Sequence, residues 1–175
     1  MKIATTFILF VCLLTPAFCQ EVFRTRPSPL AIATVRYKDA YIKVTYSQPS
    51  KRERQIFGKL VPYGEVWRTG ANEATEITIT RDMMINNQVL KAGTYSIFTI
   101  PGQTEWTIII NTGLGLWGSY NYNEKMDLMR FNVPVAENST FYEAFTISFD
   151  HRNEMADLLM MWEKVKITIP LKFIN

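Results

Sequence analysis

Apolar and polar side chains alternate with a period of two along most of this chain from Leu30 to Ile174, and helical spacing is scarce. Successive side chains of an extended strand face opposite sides, so the alternation predicts strands that each turn one face to a core. Leu30 to Tyr37 and Ala40 to Ser47 form a predicted hairpin across Lys38-Asp39, with Ile42, Val44 and Tyr46 inward and Tyr41, Lys43 and Thr45 outward. Further strands are expected at Thr75 to Arg81, at Met84 to Leu90 around the turn Asn86-Asn87, at Thr94 to Ile100 before Pro101-Gly102, and at Trp106 to Asn111. Leu128 to Val135, Phe141 to Phe149, Met155 to Glu163 and Lys164 to Phe173 complete the set, with turns at Glu137 to Ser139 and His151 to Asn153. Phe141, Phe145, Ile147 and Phe149 share one face, as the core strand of a sandwich requires. Ala156 to Trp162 also satisfies helical spacing, through Asp157, Leu158, Met161 and Trp162, and leaves a short helix open there.

These elements predict an all-β domain, a single antiparallel β-sandwich or a jelly-roll-like variant of it. Two stretches do not read as strand: Pro49 to Ala74, with Pro49, Gly58, Pro62, Gly64 and Gly70, and Thr112 to Asn123, with Gly113, Gly115 and Gly118. The first is longer than an ordinary connection, and its Ile56, Phe57, Leu60, Val61, Val66 and Trp67 argue for one ordered loop laid over an end or face of the sandwich. A turn of helix is expected near Arg52 to Phe57.

The first nineteen residues read as a secretory leader: Met1-Lys2 start it, Ile3 to Leu14 are apolar apart from Thr5 and Thr6, and Ala17-Phe18-Cys19 offers small residues for cleavage before Gln20. The apolar run is too short to span a bilayer, which takes ~20 residues. Residues 1–19 are thus a signal peptide and 20–175 the β-sandwich domain, released to the periplasm or secreted. The competing reading acylates Cys19 as a lipoprotein anchor, although Phe18 is bulky where such a signal needs a small residue. Both cysteines, Cys12 and Cys19, lie in the leader, so the mature domain has no disulfide and no thiolate site. With Lys2 taken from the 19 Lys+Arg, set against 16 Asp+Glu, the remainder is close to neutral, which argues against nucleic-acid binding.

The long loop carries the runs Tyr46-Ser47-Gln48-Pro49-Ser50, Ile56-Phe57-Gly58 and Val61-Pro62-Tyr63-Gly64-Glu65-Val66-Trp67-Arg68-Thr69-Gly70-Ala71-Asn72-Glu73-Ala74-Thr75, followed by Ala92-Gly93-Thr94-Tyr95-Ser96 and Ile100-Pro101. With Trp106, Asn111, Trp117-Gly118, Tyr120, Tyr122, Asp127, Arg130, Glu143 and Trp162-Glu163, these resemble the bacterial envelope family catalogued as domain of unknown function 2911. The resemblance implies an exported β domain and brings no activity with it. One departure stands out: members tend to have glycine before the arginine of the Pro-Ser loop, whereas this chain has Glu53 before Arg54. If that glycine serves a tight backbone turn, the loop differs locally.

The lone histidine, His151, reads as an exposed turn residue, and without a second histidine or a cysteine the zinc sites and Ser-His-Asp or Cys-His nucleophile systems lack essential parts. No metal site and no cofactor is expected. Carboxylate, guanidinium, amide and indole chemistry remains, and Trp67 to Thr75 concentrates it. Arg68, Asn72 and Glu73 offer a planar donor fork, an amide and an acceptor, while Trp67, with Tyr63, Trp117, Tyr120 or Tyr122, offers an apolar ring face. Such a set suits a small polar ligand or glycan, with Tyr46, Arg54 and Tyr95 as further candidates. The structural alternative is that Arg68 and Glu73 pair with each other or with loop carbonyls to pin the segment. A hydrolase would need two opposed carboxylates, for which Glu73 and Glu143 are the candidates, and an envelope module binding a partner through a strand edge is a third reading. Asp127 with Arg130, and Glu163, read as ion-pair partners.

Overall fold

The structure, a computed structural model, describes residues 25–174, so the expected leader and its cleavage site lie outside the described residues. Nine strands follow in order: β1 (Leu30–Tyr37), β2 (Ala40–Ser47), β3 (Ala71–Ile79), β4 (Met83–Ile85), β5 (Gln88–Leu90), β6 (Gly93–Pro101), β7 (Glu105–Asn111), β8 (Asp127–Arg152) and β9 (Met155–Phe173). All pair antiparallel in one unclosed sheet of order β1-β2-β3-β6-β7-β8-β9-β4-β5. Among the described residues the only helical element is a single 3-10 turn, Glu124–Met126. The all-β, sandwich-like architecture expected from the alternation is present, and β1 and β2 span the predicted residues.

The sheet folds back on itself through β8. The first part of β8 pairs with β7, and the rest pairs with β9, which in turn carries β4. Ile42, Val44, Ile77, Ile97, Trp106 and Ile108 from one layer meet Phe145, Leu158, Met160, Trp162, Ile167 and Leu171 from the other in one buried cluster. Burying such side chains contributes roughly 1.5–3 kcal/mol each before conformational entropy is set against it.

Two expectations are corrected here, at Glu137 to Ser139 and at Arg52 to Phe57. Glu137 to Ser139 is not a turn: β8 runs through it with a register shift, advancing from Glu137 to Tyr142 while its partner moves only from Val165 to Glu163. A bulge of this kind bends the strand without ending it, which lets a polar stretch sit mid-strand. It also carries Phe141 out of the expected core face, leaving it 52% exposed while Phe145 and Ile147 are buried. Ala156 to Trp162 is strand, as expected for Met155 to Glu163, and not the short helix that its spacing also left open; both faces are covered near Met161 and Trp162. Arg52 to Phe57 forms no helix, because Arg52 and Glu53 adopt left-handed conformations with φ of 49° and 59°.

The connection from β2 to β3 enters the core. Ile56, Phe57, Val61 and Trp67 are buried in the main cluster, and Trp67 stacks on Trp162 with ring centroids 6.1 Å apart at 18°. Phe57, Trp106 and Phe145 meet Trp67 edge-on, an arrangement that adds about 0.5–1.5 kcal/mol per ring pair beyond area. On the outer face of β3, β6 and β7, Val66 from this loop and Leu116 and Tyr122 from the Gly-containing loop cover Ala74, Phe98 and Ile109.

Candidate functional site

The long loop is held by its own backbone and side chains. Ser50 bridges to Ala144 of β8, Trp67 bridges to Thr99 of β6, and the Trp67 indole donates to the Gly70 carbonyl at 3.0 Å. Thr75 Oγ1 donates to the Thr69 carbonyl at 2.7 Å, which closes the segment between them. Gly70 sits so close to β2 that a Cβ there would lie 2.9 Å from the Ser47 carbonyl oxygen, so only glycine lets the chain cross. Arg54 clasps the turn, with Nε donating to the Lys51 carbonyl at 2.8 Å and Nη2 to that of Ser50 at 2.6 Å.

The Gly-containing loop is laid along the start of β3. Gly118 N–H donates to the Asn72 carbonyl at 2.8 Å, Ala74 N–H to the Leu116 carbonyl at 2.8 Å, and Gly115 N–H to Glu76 Oε1 at 2.8 Å. Its far end is pinned by Tyr122, whose hydroxyl donates to Asp127 at 2.6 Å. Burial, reinforced by Asp127, pushes that phenol up to about 12. Arg130 pairs with Asp127 at 2.6 Å, as the sequence indicates.

A third strip, residues 26–29, crosses the same region. Arg26 binds Glu73 at 2.7 Å, the Ser28 carbonyl accepts from Asn72 Nδ2 at 3.3 Å, and the Pro29 carbonyl accepts from the Gln48 amide at 2.8 Å. The Pro27 carbonyl accepts from Arg52 at 2.9 Å.

Two clefts flank this strip. One, of about 260 Å³, is lined by Arg54, Trp67, Arg68, Asn72 and Trp162, together with Ser28 and the apolar Leu60 and Val61. It gathers four of the candidate ligand-binding residues, and none of its lining residues is acidic. Arg68 is half-buried, its Nε is sealed from solvent without a hydrogen-bond partner, and burial lowers its guanidinium below the ordinary arginine value, with Tyr120 opposing. The other cleft, of about 500 Å³, is lined by Arg26, Leu30, Tyr46, Ser47, Glu73 and Glu76. There burial works to raise the Glu73 carboxyl, but hydrogen bonds from its own amide, Arg26 and Ser47 and the Arg26 charge outweigh it, so Glu73 titrates below the usual carboxylate range.

The candidate residues therefore divide. Arg54, Trp67, Arg68 and Asn72 come together, although Trp67 is almost wholly inside the aromatic cluster and presents little ring face. Arg68 does not pair with Glu73, which belongs to Arg26 and Ser47. Tyr46 is buried, and its hydroxyl accepts the Ile147 amide at 3.0 Å, tying β2 to β8. Tyr95 is buried and donates to the Lys91 carbonyl at 2.9 Å. Glu143 is exposed, accepts the Arg52 amide at 2.9 Å and lines neither cleft. His151 is an exposed residue beside the turn into β9, its Nε2 2.7 Å from the Asn153 carbonyl. Among the described residues no group of three or more His, Asp or Glu stands together to hold a metal ion, and no helix is long and apolar enough to cross a membrane. Sequence reasoning missed Ser28, Leu60, Val61 and Trp162 as cleft residues and Arg26 as the partner of Glu73; distant chain segments bring them in, and no local signal marks them.

A family model described as a protein of unknown function, DUF2911, matches residues 28–171. No curated protein and no solved structure matches the chain.

Proposed function

Because this chain belongs to the family of proteins of unknown function DUF2911, its role has to be read from its own side chains, and we propose that it is an exported domain that binds a small polar ligand, a sugar or similar molecule, in the cleft beside Arg68. The observation that carries this reading is the half-buried Arg68 side chain, whose Nε is sealed from solvent with no hydrogen-bond partner among the described residues and whose guanidinium forms no ion pair there. Leaving a buried donor unmade costs ~1–3 kcal/mol, so such a group persists more readily where a ligand satisfies it. Arg54 and Asn72 add polar groups to the same wall, and Leu60, Val61 and the two indoles add apolar surface, the mixture that ligand sites use to orient a small molecule. Export rests on the basic start and apolar run of residues 1–19, with cleavage before Gln20; intact-mass measurement of protein recovered from the periplasm checks it, and a retained leader refutes it.

The binding test is calorimetric titration of the mature domain with a panel of monosaccharides, sugar acids and amino acids, repeated on Arg68→Met. Saturable binding by the parent domain, lost in the variant, is the expected result. Absence of binding by every compound, or binding that Arg68→Met leaves intact, overturns the assignment of this cleft.

A further inference from the structure

We infer that the ligand of this cleft is a carboxylate-bearing sugar of single-ring size, an acid of the uronate kind, with its carboxylate held by Arg68 and Arg54; this rests on the binding reading above. The first argument is charge. Two guanidinium groups line the cleft and no carboxylate does, while the neighbouring acidic side chains are engaged elsewhere: Glu73 with Arg26 at 2.7 Å, Glu163 with Lys51 at 3.3 Å, and Glu143 with the Arg52 amide at 2.9 Å. A desolvated cation without a counter-charge is the arrangement that favours an anion from solution, and the planar fork of arginine matches a carboxylate with two parallel hydrogen bonds.

The second argument is preorganisation. Arg54 is fixed by two hydrogen bonds, from Nε to the Lys51 carbonyl and from Nη2 to the Ser50 carbonyl, and its Nη1 has no partner among the described residues. A cation already held in place loses little freedom when an anion arrives. The third argument is the remainder of the wall. Asn72 spends its amide group on the Ser28 carbonyl and keeps its oxygen free to accept a hydroxyl, and Leu60, Val61, Trp67 and Trp162 supply an apolar side. Inorganic phosphate has charge but no apolar face, and a neutral sugar has the face but no charge; a sugar acid uses both. The volume of about 260 Å³ falls just below the ~300–1,000 Å³ usual for ligand sites, so one ring fits and a chain of rings does not.

The experiment titrates the mature domain with glucuronate, galacturonate, glucose, galactose and inorganic phosphate under one buffer condition. The uronates are expected to bind about tenfold or more tightly than the neutral parents and than phosphate, the scale of a charge-assisted hydrogen bond. Arg68→Lys, which keeps the charge and removes the fork, is expected to lose about tenfold or more for the uronates. Asn72→Asp, which places a carboxylate in the cleft, should weaken the uronates while sparing any neutral sugar. Should an Arg68 variant fail to fold, Asn72→Asp carries the test alone. Equal binding of neutral and acidic sugars overturns the charge inference while leaving the site in place, as does tighter binding of phosphate. Failure of every compound to bind removes the site and this inference together.

Discussion

Replacing Arg68 by methionine separates a ligand site from a structural clasp, because the two predict opposite signs. If the guanidinium held the loop, removing it would destabilise the domain. With Nε sealed and unpartnered, the group is instead a net cost to the folded state. An unmade buried donor costs ~1–3 kcal/mol, and because Arg68 is only half-buried, solvent screening brings the expected figure to about 1 kcal/mol. Methionine keeps the aliphatic stem that lies along the cleft wall and removes the charge. A gain of about 1 kcal/mol should raise the Tm of a domain this size by roughly 2–4 °C. Urea unfolding followed by tryptophan fluorescence reads the change directly, since Trp67 and Trp162 sit in the core beside the cleft. An unchanged m-value would show that the midpoint shift reports stability. A ligand should raise the midpoint of the parent protein and leave that of the variant in place. A drop of 1 kcal/mol or more in the variant, without ligand, would refute the reasoning and make Arg68 part of the loop's scaffold.

Other outcomes follow from single contacts. Glu53→Gly relieves a left-handed backbone at φ 59° and should raise stability by about 0.5–1 kcal/mol in thermal melts; a loss would show that the Glu53 side chain matters more than its backbone. Tyr46→Phe strips the Ile147 amide of its acceptor and should cost ~1–3 kcal/mol by urea titration, whereas no change would mean that water replaces the phenol. The lowered Glu73 carboxyl makes the Arg26 ion pair a source of stability that is fully present above the unfolded pKa of ~4.3 and fades as pH falls through the lower folded value. Because Glu73 is 40% exposed in its side chain, the effect is local: hydrogen-exchange protection of the Gln48 amide, bonded to Pro29, should fall in acid and lose that pH dependence in Glu73→Gln. Protection that ignores pH would show that residues 26–29 are held by other means.

Strict alternation made β1 and β2 legible to the residue, because each strand has one face on the core and one facing out. The same logic failed at β8, where a polar stretch around Asn138 has the composition of a turn but occupies a bulge, and bulges leave no periodic mark. At β9 the expected strands Met155 to Glu163 and Lys164 to Phe173 are one continuous strand, although burial on both faces near Met161 weakens the alternation that separates strand from helix. The Trp67 to Thr75 run marked the cleft because its lining residues lie close together in the chain, Arg68 and Asn72 being four positions apart. Glu73, next to Asn72, lines the opposite cleft, where it meets Arg26, a partner 47 residues away that only the fold identifies. The Glu53 departure from the family's usual glycine was readable in advance, and its positive φ is the conformation that a glycine would take without strain.

Because β8 belongs to both layers at once, pairing with β7 in one and with β9 in the other, the molecule cannot open like a book along a seam between two sheets. Prying the layers apart would have to break or strip the continuous β8 ribbon from one of its two neighbours, and Trp162, seated on β9, would be drawn away from Trp67 as it happened. The cleft wall is thereby joined to the most extensively paired part of the chain, so it keeps its shape until the whole domain gives way.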